Sequence, residues 1–198
     1  MPKINAPTVR EHHERMLASL VDAAEAVLRD EGPDGLTAAS VSARAGVARN
    51  SIYRYVDSVD DLRGLVVERY MPEWFAAVQY SMDSTDDPRE QILAWAHANL
   101  EQATRAGHGW LMRISKHRLD PNTSRTVDHA HHSLSGVLVE AWTPLAPTKA
   151  TVAAEMTAGV LYASMHEVEA GAQLDEAQAT LDAVVRALIA TLGEQSAD

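Results

Sequence analysis

Residues 35–62 read GLTAASVSARAGVARNSIYRYVDSVDDL. Thr37 is placed to cap a helix, and Leu36 and Val41 stand where a hydrophobic staple needs them, just before the cap and one turn inside. Gly46 stops that helix after about two turns, because glycine accepts the left-handed backbone of a sharp turn. Val47 and Ala48 make the turn, and a third short helix is expected from about Arg49 to Tyr55. Asp57-Ser58 breaks it and caps a fourth helix starting near Asp60. Two short helices about a glycine turn make a helix-turn-helix. Val41, Ala45 and Ile52 are expected to meet inside and brace the pair. The second helix then offers Arg49, Asn50 and Ser51 in its first turn. Arginine can bond a guanine edge twice and asparagine an adenine edge likewise. Tyr53, pointing away from Ile52, can reach phosphate or a thymine methyl, with Arg54 and Tyr55 beside it.

Charge supports this placement. The chain carries a net charge of −11, yet Gly35 to Val56 holds no acid and three arginines, Arg44, Arg49 and Arg54. Residues 1–65 carry eight basic and ten acidic side chains, against nine and eighteen in the remainder. Helical amphipathicity alone can also open such a gap in the acids. Arg44 reads equally as a solvated helix residue or a phosphate contact, and Arg54 as a contact or the partner of a nearby acid.

Upstream, Pro2 and Pro7 mark a loose arm, and Thr8 to Glu11 fits a capping box. Leu17, Leu20, Val21, Ala24, Val27 and Leu28 recur every three or four residues, a single apolar helical stripe. Gly32-Pro33 ends it. Downstream the chain reads helical: from Asp60 through Pro72, a place for a kink, to about Asp86-Asp87-Pro88; from Arg89 to Ala106; from Trp110 to about Arg118; and over 123–142, 148–170 and 175–192. No stretch alternates with period two, so no sheet is expected. The fold class is all-α, with a DNA-binding domain over 1–60 and a second helical domain over 61–198.

The 198 residues are 46% apolar, enough for a sizeable core and too much for a disordered acidic tail. Cysteine is absent, which excludes disulfides, thiolate zinc sites and cysteine nucleophiles. No apolar run reaches the roughly 20 residues of a membrane span, and the N-terminus lacks the apolar core of a secretory signal. A cytoplasmic protein without a cofactor is expected. Phosphate-loop, HExxH and GxSxG motifs are missing, so an enzyme is not expected.

With Gly35-Leu36-Thr37, Ala45-Gly46-Val47, Ser51-Ile52-Tyr53-Arg54-Tyr55, Ser58 and Leu62, the segment resembles the DNA-binding domain of the TetR family of bacterial transcriptional regulators. With the preceding helix the resemblance spans roughly residues 8–65. It implies that Thr37 contacts phosphate, that Arg49, Asn50 and Ser51 address bases or adjacent phosphate, and that Tyr53 and Tyr55 touch the backbone and nearby base edges. Two departures stand out: Val56 where the family usually has Phe, and Val59 where it usually has Lys. Loss of that cation, with Asp57, Asp60 and Asp61 nearby, implies weaker nonspecific binding and a shallower salt dependence. Each lost phosphate contact removes about 1 from the slope.

The resemblance also implies a C-terminal domain that binds a small effector and dimerises through its last two helices. The wide apolar stripe Leu181, Val184, Val185, Leu188, Ile189 and Leu192, with small residues Ala153, Ala154, Ala158, Gly159 and Ala163 before it, suits either a two-fold four-helix interface or an intrachain core. A homodimer would set two reading helices roughly 34–36 Å apart or somewhat farther, matching a palindromic double-stranded operator. Trp74, Trp95, Trp110 and Tyr162 supply core bulk and collectively can line a cavity for an apolar or aromatic effector. Asn99, His117 and His166 are its candidate polar members, and His166 reads more readily as buried or interfacial. The expected function is a ligand-responsive repressor. The competing reading is a histidine-dependent metalloprotein or all-α enzyme, resting on Asp128, His129, His131 and His132, where Asp128 and His132 share a helical face but no third ligand is placed.

Overall fold

A computed structural model describes residues 9–107, 109–111 and 134–193. All regular structure among them is helical: α1 (Val9–Asp30), α2 (Ala38–Ala45), α3 (Val59–Met82), α4 (Pro88–Ala106), α5 (Ala150–Glu169) and α6 (Leu174–Gly193), with 3₁₀ segments at Pro33–Gly35 and Arg49–Arg54 and further helical turns at 109–111 and 134–142. The chain divides within α3 into two compact units, the described residues 9–69 in one and those from 70 onward in the other. The sequence-based division at residue 60 falls inside the first turn of α3.

In the first unit, α1 buries Leu20, Val21, Ala24, Val27 and Leu28 of the expected stripe, leaves Leu17 half-buried, and runs out at Asp30 before Gly32 takes φ +76°. The expected cap at Thr8 lies outside the described residues. Leu36, Val41, Ile52, Val56 and Leu62 close the core against that stripe. Burying such side chains is the main favourable term in so small a unit, at ~1.5–3 kcal/mol for each large one. Arg63 is buried on α3 and donates to the Pro33 carbonyl at 3.3 Å and to Asp60 at 3.1 Å, which ties α3 to the loop after α1. Arg69 joins Asp22 at 2.7 Å and Glu25 at 2.9 Å on α1. Desolvation works to lower the Arg69 pKa, but the two carboxylates outweigh it and raise it overall. The Asp22 arm is exposed and contributes little to stability.

In the second unit, α4 starts on Asp87, whose carboxylate accepts from the Arg89 amide at 2.9 Å, and ends on Gly107 at φ +72°. α4 packs on both α5 and α6, which pack on each other. Trp142 is fully buried and donates to the Thr157 hydroxyl at 3.1 Å. A polar seam runs between α4 and α6: Glu90 with Arg186 at 3.5 Å, His97 with Asp182, and Glu101 with Gln178 at 3.4 Å. Pro72 sits inside α3, which continues to Met82 and stops short of the expected Asp86.

Candidate nucleic-acid interface

The site is built from local capping. The Thr37 hydroxyl accepts from the Ser40 amide at 3.1 Å while the Ser40 hydroxyl accepts from the Thr37 amide at 3.0 Å. This reciprocal box satisfies two orphan donors at the start of α2. Ser40 fills the role usually taken by Glu or Gln, so a search for the commoner pattern misses it. At the other end Gly46 adopts φ +68°, ψ +30° and its amide donates to Ser42. That left-handed residue turns the chain toward Arg49.

The short helix expected from about Arg49 to Tyr55 is a 3₁₀ helix over Arg49–Arg54, with Tyr55 as its cap. At its start the Ser51 amide donates to Ala48 at 2.8 Å and at its end the Tyr55 amide donates to Ile52 at 2.9 Å, both spaced by three residues, while the Val56 amide also reaches the Ile52 carbonyl at 3.3 Å. Six residues between two breaks are too few for a run of i→i+4 bonds to propagate. Ile52 is fully buried (0% exposed) and its neighbour Tyr53 is 51% exposed. That phase sends Arg49, Asn50, Tyr53 and Arg54 outward and leaves Ser51 and Tyr55 half-buried. Val41 lies fully in the core as expected, whereas Ala45 is only half-buried.

The arginines separate by environment. Arg44 pairs with Asp30 at 2.5 Å and with Glu31 at 3.7 Å, so its charge is engaged by the end of α1. Arg49 and Arg54 enter no ion pair among the described residues. The acids after the segment are also partly spoken for. The Asp61 carboxylate accepts from the Asp57 and Ser58 amides, each at 2.8 Å, and the Ser58 hydroxyl accepts from the Asp61 amide at 3.2 Å, a second box that starts α3. Asp60 pairs with Arg63. Asp57 is exposed. The His13 ring of α1 lies 4.8 Å from the Tyr55 ring, tilted 37°. Sequence reading did not single out His13, although its spacing from Leu17 and Leu20 puts it on the apolar face of α1.

The candidate effector residues separate into three groups. Trp74, Asn99 and Trp95 are buried together: the Trp74 indole donates to Asn99 Oδ1 at 2.8 Å, and Asn99 Nδ2 to the Trp95 carbonyl at 2.8 Å. The Trp95 indole donates to the Leu134 carbonyl at 2.9 Å. Trp110 meets Tyr70 edge-on with centroids 6.1 Å apart. Tyr162 and His166 lie elsewhere, on the outward face of α5. Tyr162 is 45% exposed, and the burial its phenol does have raises its pKa. The His166 side chain is 84% exposed, which excludes burial within the chain and leaves the other expected placement, at an interface, open. His117 lies outside the described residues, as do Asp128, His129, His131 and His132. Among the described residues no three metal-ligating side chains converge, and no helix is long and apolar enough to cross a membrane.

The last two helices divide their apolar stripe. Leu181, Val185 and Ile189 are buried within the chain, with Ala153 and Ala154. Val152, Met156 and Val184 remain exposed. Between α5 and α6 lies an open groove of about 830 Å³, lined by small residues Gly159, Ala163 and Ala177, by Met156, Val184 and Leu188, and by the acids Glu167 and Glu176.

Residues 20–63 match the family model described as bacterial regulatory proteins, tetR family. Among solved structures, a TetR-like transcriptional regulator from Rhodococcus sp. RHA1 is 20% identical, with a TM-score of 0.67 over 93% of this chain and 98% of its own. A transcriptional regulator (TerR/AcrR family) from Aquifex aeolicus VF5 is 14% identical, with a TM-score of 0.65 over 87% of this chain and 99% of its own. At such identities the likeness shows a shared fold over most of the chain and nothing finer. No curated protein sequence matches the chain.

Proposed function

Starting from residues 20–63 as the helix-turn-helix of the tetR family of bacterial regulatory proteins, we propose that this chain is a ligand-responsive repressor acting as a cytoplasmic homodimer on a palindromic operator. The observation that carries the reading is the phase of the 49–54 segment, which anchors Ile52 inside and presents Arg49, Asn50, Tyr53 and Arg54 outward from a stretch of sequence, Gly35 to Val56, that holds no acid. Arg49 and Asn50 read base edges; Ser51, Tyr53, Arg54 and Tyr55 hold the backbone or nearby edges; Thr37 lies at phosphate. Arg44 acts there only by leaving Asp30 and Glu31, so its share is the smallest.

The apolar side chains lining the α5–α6 groove supply the subunit contact, and its small residues let a partner helix approach closely. Tyr162 and His166 belong to that face in this reading. The effector is apolar or aromatic and is taken among Trp74, Trp95, Asn99 and Trp110. To empty an operator from 99% to 1% occupancy it must prefer the non-binding conformer by about 5.5 kcal/mol.

The test is a footprint and titration on the promoter beside the chain's own gene, with wild type and Arg49→Ala. A lost bidentate base contact costs about 1–3 kcal/mol at each half-site. Specific protection disappears while the dimer mass is unchanged. Protection that survives the substitution overturns the assignment of the reading segment.

A further inference from the structure

We propose that His13 is a positioning residue for DNA recognition, holding the Tyr55 ring at the end of the reading segment. This rests on the DNA-binding reading above and adds to it a residue 42 positions away in sequence. Three observations converge on it. First, His13, Leu17, Leu20, Ala24 and Val27 fall at three- and four-residue intervals, so they share one face of α1. Burial fades along that face, from Val27, Ala24 and Leu20 in the core through half-buried Leu17 to exposed His13. His13 is thus where the packed stripe of α1 runs out toward solvent.

Second, what meets it there is Tyr55. The ring centroids are 4.8 Å apart at 37°, inside the range of attractive ring contacts. Third, Tyr55 is the residue that closes the 3₁₀ segment. Its amide donates to Ile52 at 2.9 Å, and the next residue, Val56, returns to the core. The segment is therefore held at one point inside, by Ile52, and at its end by a ring that is only half covered. Without His13 the Tyr55 ring has more rotamer freedom to lose on meeting DNA, and that loss is subtracted from affinity. His13 acts through Tyr55 and not through phosphate, so removing it changes affinity without changing the number of counterions released.

The experiment uses the full chain and promoter DNA from beside its own gene. Affinity is measured across a salt series for wild type, His13→Ala, His13→Phe, Tyr55→Ala and the double variant His13→Ala/Tyr55→Ala. A ring contact of this class corresponds to roughly a two- to tenfold effect. His13→Ala is expected to bind two- to tenfold more weakly with an unchanged salt slope, and His13→Phe to restore binding. In the Tyr55→Ala background, His13→Ala is expected to do nothing further, the mark of coupled residues. A salt slope that falls by about 1 per subunit in both His13 variants overturns the proposal in favour of a direct phosphate contact. Full affinity in His13→Ala overturns it too, as does additivity in the double variant. An NOE between the two rings in DNA-free protein reads the contact by itself. Its absence overturns the proposal even where DNA binds, and a wild type that binds no promoter DNA overturns the DNA-binding reading itself.

Discussion

Ile52→Ala tests the phase of the reading segment most directly. The side chain is fully buried in a segment that packs on α2, and the substitution deletes three carbons. At ~0.8 kcal/mol per carbon the transfer loss alone is about 2.4 kcal/mol. A cavity that cannot close adds to it, giving a cost of about 2–5 kcal/mol. Tyr53 is the control, one residue away and half exposed. Truncating it to Ala removes no core contact and is expected to shift stability by no more than about 0.5 kcal/mol. The assay is urea unfolding followed by far-UV circular dichroism, with promoter affinity measured on the same samples. Ile52→Ala should lower the midpoint strongly and weaken DNA binding through loss of the folded unit. Tyr53→Ala should keep the midpoint and weaken DNA binding alone. Equal destabilisation by the two, or less than about 1 kcal/mol for Ile52→Ala, would mean that the segment is rotated from the phase described and that its outward set is wrong.

Gly46→Ala meets no atom within 4 Å, so its cost is backbone strain alone at φ +68°, about 1–2 kcal/mol by urea unfolding; a neutral result would show that the turn tolerates another conformation. Asn99→Leu strands the Trp74 indole N–H in the interior and should cost about 1–3 kcal/mol, with a change in tryptophan emission; unchanged stability and emission would argue against the buried Trp74–Asn99–Trp95 chain. Thr37→Ala removes one arm of the α2 capping box and is expected to cost about 0.5–2 kcal/mol, read from the same unfolding curves. Val184→Glu places a charge in the lining of the α5–α6 groove and should shift the mass seen by light scattering from dimer to monomer without loss of helicity; a dimer that persists would move the subunit contact to another face.

The left-handed turn at Gly46, the cap at Thr37 and the burial of Ile52 were legible in residues 35–62 because each depends on neighbours within one or two turns. The family match over residues 20–63 rests on the same short-range code. The 3₁₀ winding of Arg49–Arg54 was less legible. Residue types favour a helix there, but the two flanking breaks set its length, and length selects the hydrogen-bond pattern.

Sequence alone therefore determined the all-helical class, the helix-turn-helix and the inward turn of Ile52 in its second segment, since helical period and capping chemistry act over a few residues. Tertiary structure decided which charges and rings find partners. It engaged Arg44 with Asp30 and Glu31, set His13 against Tyr55, buried Trp74 on Asn99, and turned Tyr162 and His166 outward. Each of these depends on where one helix crosses another, a geometry fixed by the packing of whole apolar faces and carried by no local pattern.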